Sequence, residues 1–70
     1  MKYLVVIEET LTGYSAFSPD VPGCIATGAT QAEVRIHMQQ ALELHVEGLR
    51  EDGERLPRST TSSCYVEIAA

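Results

Sequence analysis

Residues 17–28, FSPDVPGCIATG, mark a sharp corner between two extended segments of this chain. Pro19 and Pro22 have no backbone N–H, so neither can donate a hydrogen bond within a sheet. Pro22 and Gly23 suit the central positions of a type II turn, because proline presets φ and glycine accepts a positive φ. Gly28 ends the apolar run that follows. The pattern predicts two antiparallel strands joined by this corner.

The apolar pattern predicts four strands in all. Strand one, residues 2–8 (KYLVVIE), is apolar on both of its faces. Because a single helix covers only one face of a sheet, the second apolar face predicts association with another chain. Partial screening of that face by loops and long side chains is the alternative interpretation. The other strands are predicted at residues 14–18, 24–27 and 64–69.

A single long helix is predicted over residues 31–52. Thr30 and Glu33 have the spacing of a capping box, in which the Thr30 hydroxyl accepts from the backbone of Glu33 and the glutamate reaches back. Gly53 is expected to end the helix in the left-handed conformation. Gly48 is predicted to allow close approach to the sheet, since it falls on the inner face. That face comprises Val34, Met38, Ala41, Leu42, His45, Gly48 and Leu49.

Counting strand directions gives the expected topology. Strand four comes out parallel to strand one and most simply lies beside it, which predicts the strand order 3-2-1-4 with a right-handed crossover. The fold class is therefore α+β, a single β-β-β-α-β domain over residues 1–70 with the helix on one face of a four-stranded sheet. A chain of this length is marginally stable alone, so a dimer or tetramer is expected.

Composition excludes several classes of protein. The net charge is −5, which argues against direct nucleic-acid binding and fits a basic protein partner. No apolar run approaches a membrane span and no signal peptide is visible, so a cytoplasmic protein is expected. Cys24 and Cys64, both in predicted strands, are interpreted as reduced core thiols. Their spacing predicts no zinc site, and no cofactor is expected.

Three ordered motifs resemble the HicB-like antitoxin family. They are GYSAFSPDVPGC at residues 13–24, ATG at 26–28 and ALELHVEGL at 41–49. The resemblance implies a reduced RNase H-like fold without catalysis. It also implies a partner, the toxin HicA, a small basic protein that cleaves mRNA and whose catalytic histidine and RNA face the antitoxin covers. Many family members add a C-terminal DNA-binding domain; no such segment follows strand four here, so no direct DNA binding is expected.

Five residues are candidates for contact with such a toxin. Glu43, Glu47 and Glu51 recur every four residues on the outer helix face, which is either a docking surface for a basic protein or an ordinary solvated face. Arg50 offers partial charge relief to Glu47. Ile36 on the same face is either an apolar anchor or a scattered exposed residue. The fifth candidate, Asp20, is interpreted chiefly as an Asx-turn within the corner and alternatively as a contact for the toxin.

The remaining polar residues suggest no catalytic site. His45 and His37 lie on or beside the inner helix face, where a histidine bonded to a backbone carbonyl is the favoured interpretation. The carboxylates of Glu8, Glu9 and Glu67 do not form a convincing metal-binding set. Two rival hypotheses stay open: a homo-oligomeric interaction module without a toxin, and a degenerate metal-dependent nuclease. For the oligomer, packing through a face of strand one is preferred over pairing at the strand-four edge.

Overall fold

The computed structural model describes residues 1–70 and contains one antiparallel sheet and one helix. The strands are β1 (Val6–Glu9), β2 (Tyr14–Phe17) and β3 (Ile25–Gly28), hydrogen-bonded in the order β1-β2-β3, and the helix is α1 (Gln31–Glu51). The α+β class and the β-β-β-α order are confirmed. The predicted fourth strand is not formed.

Strand β1 is shorter than predicted because of the corner that follows β2. Val6 pairs with Phe17 at the last position of this antiparallel ladder. Two steps further, the register would set Leu4 opposite Pro19, which has no N–H to donate. The Ser18 hydroxyl donates to the Leu4 carbonyl instead, at 2.8 Å. Residues 2–5 therefore continue the line of β1 without a strand beside them.

The corner itself forms the predicted turn. The Cys24 N–H donates to the Val21 carbonyl at 3.2 Å across Pro22 and Gly23, and Gly23 has φ +82°. These features confirm a turn that requires glycine at its third position. Cys24 is used to close the turn, so β3 begins one residue later than predicted.

Helix α1 begins and ends close to the predicted residues. The Thr30 hydroxyl accepts from the Glu33 N–H at 3.1 Å, and Gly53 adopts φ +69° after the last turn. The reciprocal half of the capping box does not form. The Glu33 carboxylate lies 3.9 Å from His37 Nε2 instead.

Gly28, rather than Gly48, permits close packing of the helix against the sheet, so the prediction for Gly48 is wrong. A Cβ added at Gly28 would lie 2.7 Å from the backbone nitrogen of Val34, so β3 touches the first turn of the helix there. A Cβ added at Gly48 would meet no atom within 4 Å. The space around Gly48 depends on what lies opposite it, which periodicity alone does not reveal.

The core lies between α1 and one face of the sheet. Its buried apolar members are Ala16, Val21, Cys24, Val34 and Met38. The opposite face is uncovered, as the apolar pattern of strand one suggested. The ladder places Val6, Phe17 and Ile25 in one row across the three strands, and Ile25 is 71% exposed. We call this row the open sheet face.

The last residues of the chain do not return to the sheet. Residues 64–69, predicted as strand four, pair with no strand, so the predicted order 3-2-1-4 is not present within one chain. Tyr65 and Val66 are exposed and Ile68 is 78% exposed. Cys64 is an exposed free thiol, so the prediction that it is a core residue is wrong. We call residues 62–70 the C-terminal arm.

Candidate protein-binding surfaces

An unneutralised row of carboxylates lies on the exposed side of α1. Glu43, Glu47 and Glu51 are all exposed and follow one another at about 6 Å intervals along the helix axis. The only ion pair within 4.0 Å in the chain joins His37 to Glu33, so Arg50 does not pair with Glu47 as predicted. We call these three glutamates the acidic row. Its charge is directed at solvent and available to a cationic partner.

Ile36 lies on the same side of the helix, near its start. Its side chain is 56% exposed and lies two helical turns before Glu43. Leu44 is also exposed, at the next position after Glu43. Exposed apolar side chains can be buried by a partner protein, and charged side chains beside them suit the polar rim of such an interface.

A groove separates α1 from the unpaired edge of β1. On the sheet side it is lined by Val5 and Ile7, and on the helix side by Met38, Leu42 and Val46. Ile36, Glu43 and Glu47 also line it. We call this feature the edge groove. Because β1 has β2 on one side only, the backbone groups along its other side have no strand to pair with.

Asp20 is set apart from these residues and binds the chain's own C-terminal segment. Its Oδ2 accepts the backbone N–H groups of Thr60 and Thr61, both at 3.0 Å. Its Oδ1 accepts the two threonine hydroxyls, at 3.1 Å and 2.7 Å. The predicted Asx-turn is therefore wrong, because both carboxylate oxygens are engaged 40 residues along the chain. These bonds, above all the Thr61 hydroxyl, hold the pKa of Asp20 below its ordinary value of 3.8.

The segment around Thr60 is more ordered than its composition suggested. Residues 59–63 read STTSS, a low-complexity composition typical of a flexible connection. A second bond fixes the segment's start, since the Tyr3 hydroxyl donates to the Pro57 carbonyl at 2.6 Å. The sequence signal for this contact was an aspartate in a corner together with two adjacent threonines, each of which offers two donors.

The histidines and thiols form no reactive constellation. His37 Nδ1 donates to the Thr27 carbonyl at 2.7 Å, because a carbonyl can only accept, and this confirms the predicted type of bond. His45 is half-buried and makes no side-chain hydrogen bond. Burial raises the pKa of the Cys24 thiol. No group of three or more His, Cys, Asp or Glu side chains is placed to hold a metal ion.

The chain has no helix that is both long enough and apolar enough to cross a membrane.

The sequence matches known proteins over nearly all of its length. The family described as HicB_like antitoxin of bacterial toxin-antitoxin system matches residues 3–68. A 14.9 kDa protein from the rep-hol intergenic region of Haemophilus phage HP1 is 39% identical over 66 residues, which cover 94% of this chain and 50% of the phage protein. A UPF0150 protein of Thermoplasma acidophilum is 33% identical, over 94% of this chain and 97% of its own length. Antitoxin HicB 2 of Photorhabdus laumondii is 32% identical, over 100% of this chain and 51% of its length.

The fold is also similar to a solved structure. One chain in the structure of the HicA3 and HicB3 toxin-antitoxin complex matches with a TM-score of 0.72 and 30% identity, over 86% of this chain and 70% of that one. The present chain spans about half the length of the phage and Photorhabdus relatives and nearly all of the Thermoplasma protein. The family match over residues 3–68, together with the identity to these relatives and the similar fold, shows that this chain belongs to the HicB-like antitoxin family.

Proposed function

We propose that this chain is an antitoxin domain that binds and sterically blocks a small basic HicA-type toxin that cleaves mRNA. The observation that carries the proposal is the likeness to a chain of a HicA3 and HicB3 toxin-antitoxin complex, at 30% identity and a TM-score of 0.72. Neutralisation proceeds by binding, and this chain performs no catalytic turnover. An mRNA-cleaving partner places both proteins in the cytoplasm. The net charge of −5 favours a cationic protein over nucleic acid as the direct partner.

The acidic row and Ile36 are the proposed docking surface. Three unpaired carboxylates on a rigid helix attract a basic protein at long range and speed its encounter. Ile36, 56% exposed at one end of the row, supplies an apolar contact that loses its water on binding. Asp20 is assigned to holding the C-terminal segment, because both of its oxygens already accept two hydrogen bonds.

The charge contribution can be measured directly with a matched pair of variants. Glu43→Gln/Glu47→Gln/Glu51→Gln removes three charges from α1, whereas Glu8→Gln/Glu9→Gln/Glu54→Gln removes three exposed charges elsewhere. Association of each with the purified HicA-type toxin is followed by stopped-flow fluorescence at low and high salt. The helix variant is expected to associate on the order of tenfold more slowly at low salt, and the difference is expected to shrink at high salt.

The control variant separates a local effect from a change in net charge, since both variants lose the same three charges. Equal rates for the two variants would show that the acidic row does not guide the toxin. The docking surface would then have to be sought on the open sheet face.

A second function, a homo-oligomeric interaction module without a toxin, is favoured by the apolar groups the monomer exposes. The open sheet face and the C-terminal arm are both uncovered. A small basic protein encoded beside this chain, and bound by it, separates the two functions. Self-association is compatible with both.

The reduced RNase H-like arrangement of four strands belongs to the proposal as well. It requires a fourth strand beside β1, where the edge groove lies. Residues 64–69 have the apolar alternation of such a strand, although they are not paired within the monomer.

A further inference from the structure

We infer that the edge groove of one chain is filled by the C-terminal arm of a second copy, so that two chains exchange arms in a symmetric dimer. The inference concerns self-association and does not depend on the presence of a toxin. It commits to one occupant of the groove, an extended apolar segment of this same sequence.

The groove requires an occupant of this kind. Its β1 side presents unpaired backbone donors and acceptors, and only an extended segment can satisfy them in a regular ladder. Its floor, formed by Val5, Met38 and Leu42, is apolar. An extended segment with apolar side chains at alternate positions therefore fits both the backbone and the floor.

The C-terminal arm has this chemistry. Val66 and Ile68 fall on one side of an extended segment, while Tyr65 and Glu67 fall on the other. All four are exposed, and Ile68 retains 78% of its accessible surface. The groove is lined by three cations, Lys2, Arg35 and Arg50, and by two carboxylates, Glu43 and Glu47, whereas the arm carries a single carboxylate and no cation, so the charges do not oppose docking.

The arm is held away from the groove of its own chain. Thr60 and Thr61 are bound by Asp20, which belongs to the connection between β2 and β3. Because β2 is the middle strand, this connection lies on the far side of β1 from its unpaired edge. To reach its own groove the arm would have to release Asp20 or reverse direction within two residues.

The overall dimensions fit an arm that extends from the domain. The radius of gyration is 13.9 Å, and the principal extents are 49 × 26 × 16 Å. A compact domain of this length has a radius of gyration of about 11 Å. Exchange of identical elements between two copies creates a closed twofold interface in which each groove receives one arm.

Light scattering after size exclusion, on the toxin-free chain, tests the inference. The native chain is expected at twice its monomer mass of 7.6 kDa. Val66→Lys/Ile68→Lys is expected to elute as a monomer with unchanged helical circular dichroism, because both side chains are exposed in the monomer. Ile25→Lys, which places a cation on the open sheet face, is the matched control and is expected to remain dimeric.

The control also identifies the rival interface. A dimer lost with Ile25→Lys and retained with Val66→Lys/Ile68→Lys would overturn the inference in favour of face-to-face packing. A native chain that stays monomeric at about 100 μM, a concentration at which even a dimer with micromolar affinity forms, would also overturn the inference.

A disulfide trap then distinguishes exchange from a strand folded back on its own chain. Cys64 lies in the arm and is exposed, and Gln39 lines the groove. A tagged Gln39→Cys/Cys64→Ser chain is mixed with the native chain and oxidised. A disulfide-linked heterodimer that retains Cys24 as a free thiol is expected. Its absence, with dimers still present by light scattering, would contradict arm exchange.

Discussion

At the scale of single residues, Asp20 is the feature with the clearest structural consequence. Its two oxygens accept four hydrogen bonds from Thr60 and Thr61. One carboxylate thereby determines the direction in which the last residues of the chain leave the domain. The sequence indicated that Asp20 is structural but not which residues it binds, because hydrogen bonds over 40 residues leave no local pattern.

Replacement of Asp20 tests this function. Asp20→Ala is expected to lower the melting temperature of the isolated chain and to reduce the hydrogen-exchange protection of the Thr60 and Thr61 amides on the order of tenfold, since their acceptor is removed. Glu54→Gln, which removes an exposed carboxylate charge six residues before Thr60, is the control. It should change neither the melting temperature nor the protection of these amides. An unchanged melting curve and unchanged amide protection in Asp20→Ala would refute a structural function.

The same contact predicts a pH dependence. The pKa of Asp20 is lowered in the folded chain, so its stabilisation is fully present above the ordinary value of 3.8 and is lost as the pH falls through the lowered value. Protection of the Thr60 and Thr61 amides is therefore expected to persist at pH 5 and to disappear only in stronger acid. Loss of protection already near neutral pH would contradict this assignment.

At the scale of elements, replacing two glycines by alanine is expected to change the stability of the chain in opposite directions. Gly28→Ala is expected to destabilise the chain by about 1–3 kcal/mol, because the new Cβ would lie 2.7 Å from the Val34 nitrogen on the backbone of α1. Gly48→Ala is expected to stabilise it by about 0.5–1 kcal/mol, since the position is helical and no atom lies within 4 Å. Denaturant unfolding measures both. Equal destabilisation by the two changes would show that α1 also approaches the sheet closely at its C-terminal end.

The elements also show how far the sequence predicts this fold. The corner at Pro22 and Gly23, the cap at Thr30 and the stop at Gly53 are local features, and each was predicted correctly. The start of β1 and the packing of Gly48 were not, because they depend on which strand or helix lies opposite. The segment 64–69 has the pattern of a strand, but pattern alone does not specify the partner that a strand pairs with.

The candidate binding surfaces were predicted less completely than the fold. Periodicity placed Glu43, Glu47 and Ile36 correctly on the exposed side of α1. Periodicity could not show that a groove lies between α1 and the edge of β1, because the groove exists only where β1 has no neighbouring strand. Of the proposed contact residues, only Asp20 is occupied by other contacts.

At the scale of the whole molecule, the chain combines an acidic exterior with uncovered apolar groups. The net charge of −5 is concentrated in part along α1, whereas the open sheet face and the C-terminal arm are apolar. We propose that these surfaces serve different contacts, the charged one with a basic toxin and the apolar one with a second copy of the chain.

Neutralisation of a HicA-type toxin by this chain can be measured in an mRNA-cleavage assay with a purified small basic toxin of that type. The toxin is assayed alone, with the native chain, and with the Glu43→Gln/Glu47→Gln/Glu51→Gln variant. The native chain is expected to co-purify with the toxin and to abolish cleavage, and the variant is expected to require a higher concentration to do so. Full cleavage in the presence of excess folded native chain would contradict neutralisation by this chain.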